Sequence, residues 1–72
     1  MENYYNLFFE AVEFYELAET MVDEVRKLEQ KGNRSAGKRA RAALLEMRDR
    51  YQPLRDEILK RMKELPVKPR KK

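Results

Sequence analysis

The densest run of chemically active side chains in this sequence is basic. Lys31, Arg34, Lys38, Arg39 and Arg41 fall within eleven residues, and no acid stands between Gln30 and Leu45. Guanidinium and ammonium groups grouped in this way hold phosphate by charge and by N–H donors. The same stretch, Gly32-Asn-Arg-Ser-Ala-Gly37-Lys38-Arg39, also has the spacing of a nucleotide phosphate loop. That loop continues with Ser or Thr, whose hydroxyl holds magnesium. Arg39 stands there instead, and no strand precedes Gly32. With 72 residues the chain is too short for the parallel sheet such loops need. Nucleotide hydrolysis is set aside.

Carboxylates are the other candidates for chemistry. Glu10, Glu13, Glu16 and Glu19 recur every three residues. Steps of three turn steadily around a helix, so these groups do not converge on one metal ion or act as an acid–base pair. The chain has no His and no Cys, so it offers no nitrogen or sulfur ligand for a metal and no disulfide. Ser35 and Thr20 are hydroxyls without a base beside them. The sequence reads as non-enzymatic, with no cofactor, no metal and no small-molecule substrate. The acidic run reads as a solvated face that meets the bases of a second helix.

These groups must be positioned by helices. Charged and hydrophobic residues each make up 42% of the chain, with two Gly and three Pro. That balance fits long helices rather than sheet or disorder. From Tyr4 the apolar residues recur at three-four spacing through Leu7, Ala11, Phe14, Ala18, Met21, Val25 and Leu28. The spacing predicts one helix over about 3–31. Gly32 suits the left-handed position that ends a helix, and Asn33 suits the next N-cap, with Ser35 as the alternative. A second seam runs through Ala40, Leu44, Met47, Tyr51, Leu54, Ile58, Met62 and Leu65. It predicts a helix over about 34–65. Pro53 lies within that helix, yet the apolar phase does not slip there, so one helix kinked near Pro53 is expected. A turn of residues 32–33 makes the pair antiparallel. The expected fold is all-α, a two-helix hairpin over 1–65 with a basic flexible tail over 66–72.

One helix cannot cover the other. Six of the seven aromatics lie between Tyr4 and Tyr15. With Tyr5, Phe8, Phe9, Val12, Tyr15 and Val22 added, the apolar arc of the first helix exceeds the stripe that one partner covers. Plain core packing is the preferred reading of these aromatics over a ligand box, and it requires a shared core. The expectation is a homodimer, a coiled-coil-like four-helix bundle with Tyr4, Tyr5, Phe8, Phe9, Val12, Tyr15 and Val22 at the interface.

Charge is partitioned along the chain. Residues 1–30 carry eight acids and two bases, a net of −6. Residues 31–72 carry fifteen bases and five acids, a net of +10. The positive excess is densest at the start of the second helix, an end that is already partly positive. Bases there cost stability unless an anion visits, and exposed N–H groups beside Arg and Lys suit phosphate. Arg34, Arg41, Arg48 and Arg55 follow one another at intervals of seven, and Lys68, Arg70, Lys71 and Lys72 add charge in the tail. The plainer alternative is a solvated basic face.

The stretch from Lys31 to Leu45 resembles the hairpin of bacterial linker-histone-like proteins, a family of small nucleoid proteins. Lys31, Gly32, Asn33, Ala36, Gly37, Arg39 and Arg41 match its Lys-Gly-Asn turn, small-residue step and Arg-x-Arg pair. The resemblance covers about residues 25–62. It implies DNA binding and compaction without base-specific readout. Family members often carry a long Lys/Ala-rich tail, whereas only Val67 to Lys72 follow here.

The expected function is therefore sequence-nonspecific binding of double-stranded DNA. The residues assigned to it are Lys31, Asn33, Arg34, Lys38, Arg39, Arg41, Arg48, Arg55, Lys68, Arg70, Lys71 and Lys72. The alternative is a helical protein–protein interaction module without nucleic-acid binding. Adhesion of the tail to an anionic membrane is weaker, because the tail lacks aromatic anchors. No secretory signal and no membrane-spanning run is read, so a cytoplasmic, nucleoid-associated protein is expected.

Overall fold

The computed structural model describes residues 5–65. It contains two helices, α1 (Leu7–Lys31) and α2 (Arg34–Glu64), packed as an antiparallel hairpin. Asn6 caps α1, its side-chain oxygen accepting from the Phe9 N–H at 3.0 Å. Glu10 in the first turn and Lys31 in the last complement the helix dipole.

Both turn residues act as expected. Gly32 adopts φ 61°, ψ 30°, and its N–H reaches the Leu28 carbonyl at 3.0 Å. A residue with a Cβ is strained in that conformation. Asn33 then returns to extended backbone and caps α2 through its side chain, which accepts from the Ala36 N–H at 3.2 Å. The cap is thus Asn33 and not Ser35. Helix α2 runs through Pro53 as one element and stops at Glu64. Pro53 is exposed and has no N–H to donate, so the Asp49 carbonyl lacks its helical partner.

The helices meet on rows that share Leu7, Phe14, Met21, Leu28, Ala40, Met47 and Leu54 with the seams read in the sequence and differ at the positions between them. On α1 the less exposed positions include Leu7, Glu10, Phe14, Leu17, Met21 and Glu24, with Leu28 continuing the row against Gly37. On α2 they are Ala36, Ala40, Ala43, Met47, Arg50, Leu54, Glu57 and Arg61. Both rows keep strict three-four spacing. Ala11 and Val25, expected in the seam, are exposed, and Glu10 and Glu24 take part in their place. Leu44, Tyr51, Ile58 and Met62 likewise yield to Ala43, Arg50, Glu57 and Arg61.

Ion pairs explain the shift. Arg50 places one guanidinium nitrogen 3.1 Å from Glu10, and its other approaches Glu46 at 3.3 Å and Glu13 at 3.9 Å. Arg39 meets Glu24 at 3.1 Å. Arg61 bonds Glu57 at 2.8 Å and donates to the Tyr5 carbonyl at 2.9 Å. Small residues let the helices approach at the turn end. A Cβ on Gly37 would stand 3.4 Å from the Leu28 side chain.

The seam buries little. Among the described residues the only buried apolar ones are Ala36, Ala40 and Ala43. Phe8 is 79% exposed and Tyr15 61%.

Candidate nucleic-acid interface

The basic run lies around the start of α2. Lys31 closes α1, Gly32 and Asn33 form the link, and Arg34 opens α2. No acid occupies the first turn of α2. Lys31, Arg34, Lys38 and Arg41 are exposed and form no ion pair among the described residues. Their charge is offered to solvent next to a positive helix end. Asn33 is exposed, and its side-chain oxygen is committed to the cap.

Arg39 differs from its neighbours. Its guanidinium is held by Glu24, which is 9% exposed. Lys27 adds a longer contact to the same carboxylate at 3.9 Å. The other oxygen of Glu24 is buried without a hydrogen-bond partner. A buried carboxylate depends strongly on its cation, so Arg39 is tied to the seam before any ligand arrives. Sequence reading grouped Arg39 with the free cations. The useful signal is that Glu24 lies on the α1 row facing the small end of α2.

Arg48 and Arg55 continue the stripe beyond the turn. Each pairs weakly with its next neighbour, Arg48 with Asp49 at 3.4 Å and Arg55 with Asp56 at 3.7 Å. Both remain more than half exposed, and pairs of this kind hold a side chain loosely. Arg50, not selected from the sequence, is the cation most engaged with α1. Lys68, Arg70, Lys71 and Lys72 lie outside the described residues, as does Tyr4.

The expected interface aromatics divide into two groups. Phe8, Phe9, Tyr15 and Val22 are exposed, while Tyr5 and Val12 are half-buried. Burial first, then the charges of Glu10 and Glu57, push the Tyr5 phenol above its usual range. A hydrogen bond to Glu19 does the same for Tyr15. Both phenols stay protonated and uncharged well past neutrality.

The family model described as Histone H1-like protein Hc1 matches residues 10–64, the whole hairpin from the first turn of α1 to the end of α2. This chain belongs to that histone H1-like family. The match covers well over half of the chain, including the basic turn and both seam rows apart from Leu7. Membership in the Hc1 family makes it a histone-like DNA-binding protein of a non-enzymatic family. No curated protein and no solved structure matches the chain. Among the described residues, no helix is long and apolar enough to cross a membrane.

Proposed function

We propose that this Hc1-family chain binds double-stranded DNA through the phosphate backbone, without base-specific readout, and compacts it as a nucleoid-associated homodimer. The observation that carries the reading is the cluster of exposed cations around the start of α2, free of acidic partners among the described residues. Lys31, Arg34, Lys38 and Arg41 supply the principal grip. Arg39 joins on release from Glu24, Arg48 and Arg55 extend the contact, and Asn33 shapes the turn. Lys68, Arg70, Lys71 and Lys72 add charge. The exposed aromatics support self-association, since a face of this kind is an association site. A bend at Pro53 toward the seam belongs to the same reading.

Backbone binding rests on counterion release, so affinity falls steeply with salt. Each phosphate contact contributes about 0.9 to the slope of log affinity against log salt. Gel retardation of a random-sequence duplex at several salt concentrations tests the proposal. Replacing Arg34, Lys38 and Arg41 together by Ala reduces the slope by about 2–3 for each copy in contact with the DNA. An unchanged slope overturns the phosphate assignment. The rival reading, a protein-interaction module, predicts no retarded DNA at any salt concentration.

A further inference from the structure

The seam fixes the rotation of both helices, and with it the rows that lie beside the seam. Each residue advances about 100° around a right-handed helix. Phe8, Tyr15 and Val22 come one step after the seam residues Leu7, Phe14 and Met21. Ala11, Ala18 and Val25 come one step after Glu10, Leu17 and Glu24. On α2, Leu44, Tyr51 and Ile58 follow Ala43, Arg50 and Glu57, and Arg41, Arg48 and Arg55 follow Ala40, Met47 and Leu54.

The helices are antiparallel, so one step forward on each leads to the same side of the hairpin. That side is a single face of four rows. From the α1 edge to the α2 edge they run Phe8–Tyr15–Val22, Ala11–Ala18–Val25, Leu44–Tyr51–Ile58 and Arg41–Arg48–Arg55. An open groove lined by Phe14, Tyr51, Leu54 and Ile58 joins the two helices within it. The opposite side, one step before each seam residue, carries Asn6, Glu13, Thr20, Ser35, Glu46 and Asp56, with Phe9 as its one large exposed apolar residue. The hairpin is a two-helix layer with one apolar face and one predominantly polar face.

Two copies can close face to face about a two-fold axis in two ways. With α1 on the partner's α1, the turns lie at opposite ends. The arginine rows then face each other, and so do the alanine rows. That arrangement sets like charges together and leaves a void. With α1 on the partner's α2, the turns lie at the same end. The aromatic row then faces the arginine row, and the alanine row faces Leu44–Tyr51–Ile58.

The levels agree as well. Glu10 is level with Arg50 and Glu24 with Arg39. On that scale Phe8, Tyr15 and Val22 are level with Arg55, Arg48 and Arg41. Guanidinium groups over aromatic rings attract, and their stems cover apolar surface. Ala11 and Ala18 stand opposite Tyr51 and Leu44, small against large. Helix α1 carries a net −4 and α2 a net +5, so this pairing also sets opposite charges together.

We propose that two copies pack apolar face to apolar face with α1 of each on α2 of the other, so that both basic turns lie at one end. This rests on the homodimer reading above. The two turns then form one composite phosphate-binding surface, with Lys31, Arg34 and Lys38 from each copy. In this arrangement Arg48 and Arg55 move from the DNA contact to the interface rim, over the partner's Tyr15 and Phe8, while Arg41, the row's member nearest the turn, stays at the basic end.

The chain has no cysteine, so single nitroxide labels are placed cleanly at Ser35→Cys and Lys60→Cys. Both sites lie on the polar face, one near each end of α2. Pulsed dipolar spectroscopy on each labelled full chain reads the label-to-label distance. The proposed dimer gives about 20–30 Å at both sites. Turns at opposite ends give about 40 Å or more at both, because Ser35 and Lys60 are about 37 Å apart along α2 at 1.5 Å per residue. Two long distances overturn the arrangement and leave the dimer standing. One long and one short distance overturn it too. Absence of dipolar coupling overturns the dimer itself. Retardation of DNA by the same labelled proteins is scored separately, so a failure of DNA binding is distinguished from a failure of the packing. Arg48→Ala gives a second measurement by equilibrium sedimentation. It weakens the proposed dimer severalfold, whereas a tighter dimer marks arginine facing arginine and overturns the proposal.

Discussion

Between its helices this hairpin buries three alanines and a glutamate. One step further round each helix it exposes Phe8, Tyr15, Tyr51 and Ile58. The seam is narrow and rich in ion pairs, and the face beside it is broad and apolar. The seam therefore sets the alignment. Glu10 with Arg50 and Glu24 with Arg39 fit only one register, and a one-step slip separates them. In the proposed dimer this face supplies the larger hydrophobic contribution, about 25 cal/mol for each Å² removed from water. On that proposal, alignment within the chain and stability between chains fall to different rows of the same two helices.

The largest way to break this contrast is a charge in the centre of the face. Tyr51→Asp is expected to weaken self-association at least tenfold, read by sedimentation, with helical circular dichroism lost on dilution. Unaltered association would mean that the face is idle. In the seam, Ala40 is 5% exposed, so Ala40→Leu overpacks it. A loss of about 1–3 kcal/mol in chemical unfolding is expected. A neutral result would show that the seam is not closely packed.

Gly37 sharpens the same point in the opposite direction. A Cβ there meets Leu28 at ordinary contact distance, and alanine is the better helix former. Gly37→Ala is expected to stabilise by up to about 1 kcal/mol, and a lower melting temperature would show a tighter turn end than described. The smallest effect concerns Asp23. A hydrogen bond from Arg26, then the charge of Lys27, hold its carboxyl below the ordinary value of 3.8. The depressed value means that its stabilisation is present above the unfolded value and fades as acid protonates the folded form. Asp23→Asn should give a slightly lower melting temperature at neutral pH and a smaller fall below about pH 4. Parallel curves for the two proteins would remove that contribution.

Much of the fold was legible because local chemistry wrote it. Gly32 and Asn33 marked the stop and the start, and the three-four spacing marked both helices. The rotational phase was legible only in part: Leu7, Phe14, Met21, Ala40, Met47 and Leu54 face the partner helix as read, and the positions between them do not. On α1 two apolar rows overlap, Leu7–Phe14–Met21 and Ala11–Ala18–Val25, and periodicity does not say which one faces α2. Hydrophobicity favours the apolar choice, but the ion pairs of Glu10 and Glu24 decide otherwise. The same preference placed Tyr51 and Ile58 in the seam and overlooked Arg50. At the candidate site, exposure of Lys31, Arg34, Lys38 and Arg41 followed from their charge. The engagement of Arg39 did not, because its partner Glu24 is fifteen residues away in sequence.

The two-residue link has a kinetic consequence. Leu28 meets Gly37 across a short closure, Glu24 meets Arg39 next, and Glu10 meets Arg50 last. Each contact shortens the loop that the next one has to close, so the hairpin zips outward from the turn. Local contacts of this kind form within about microseconds. In the proposed dimer the outer face has to find its counterpart by diffusion. Hairpin closure is then first order and assembly second order, and the dependence of folding rate on protein concentration belongs wholly to the second step.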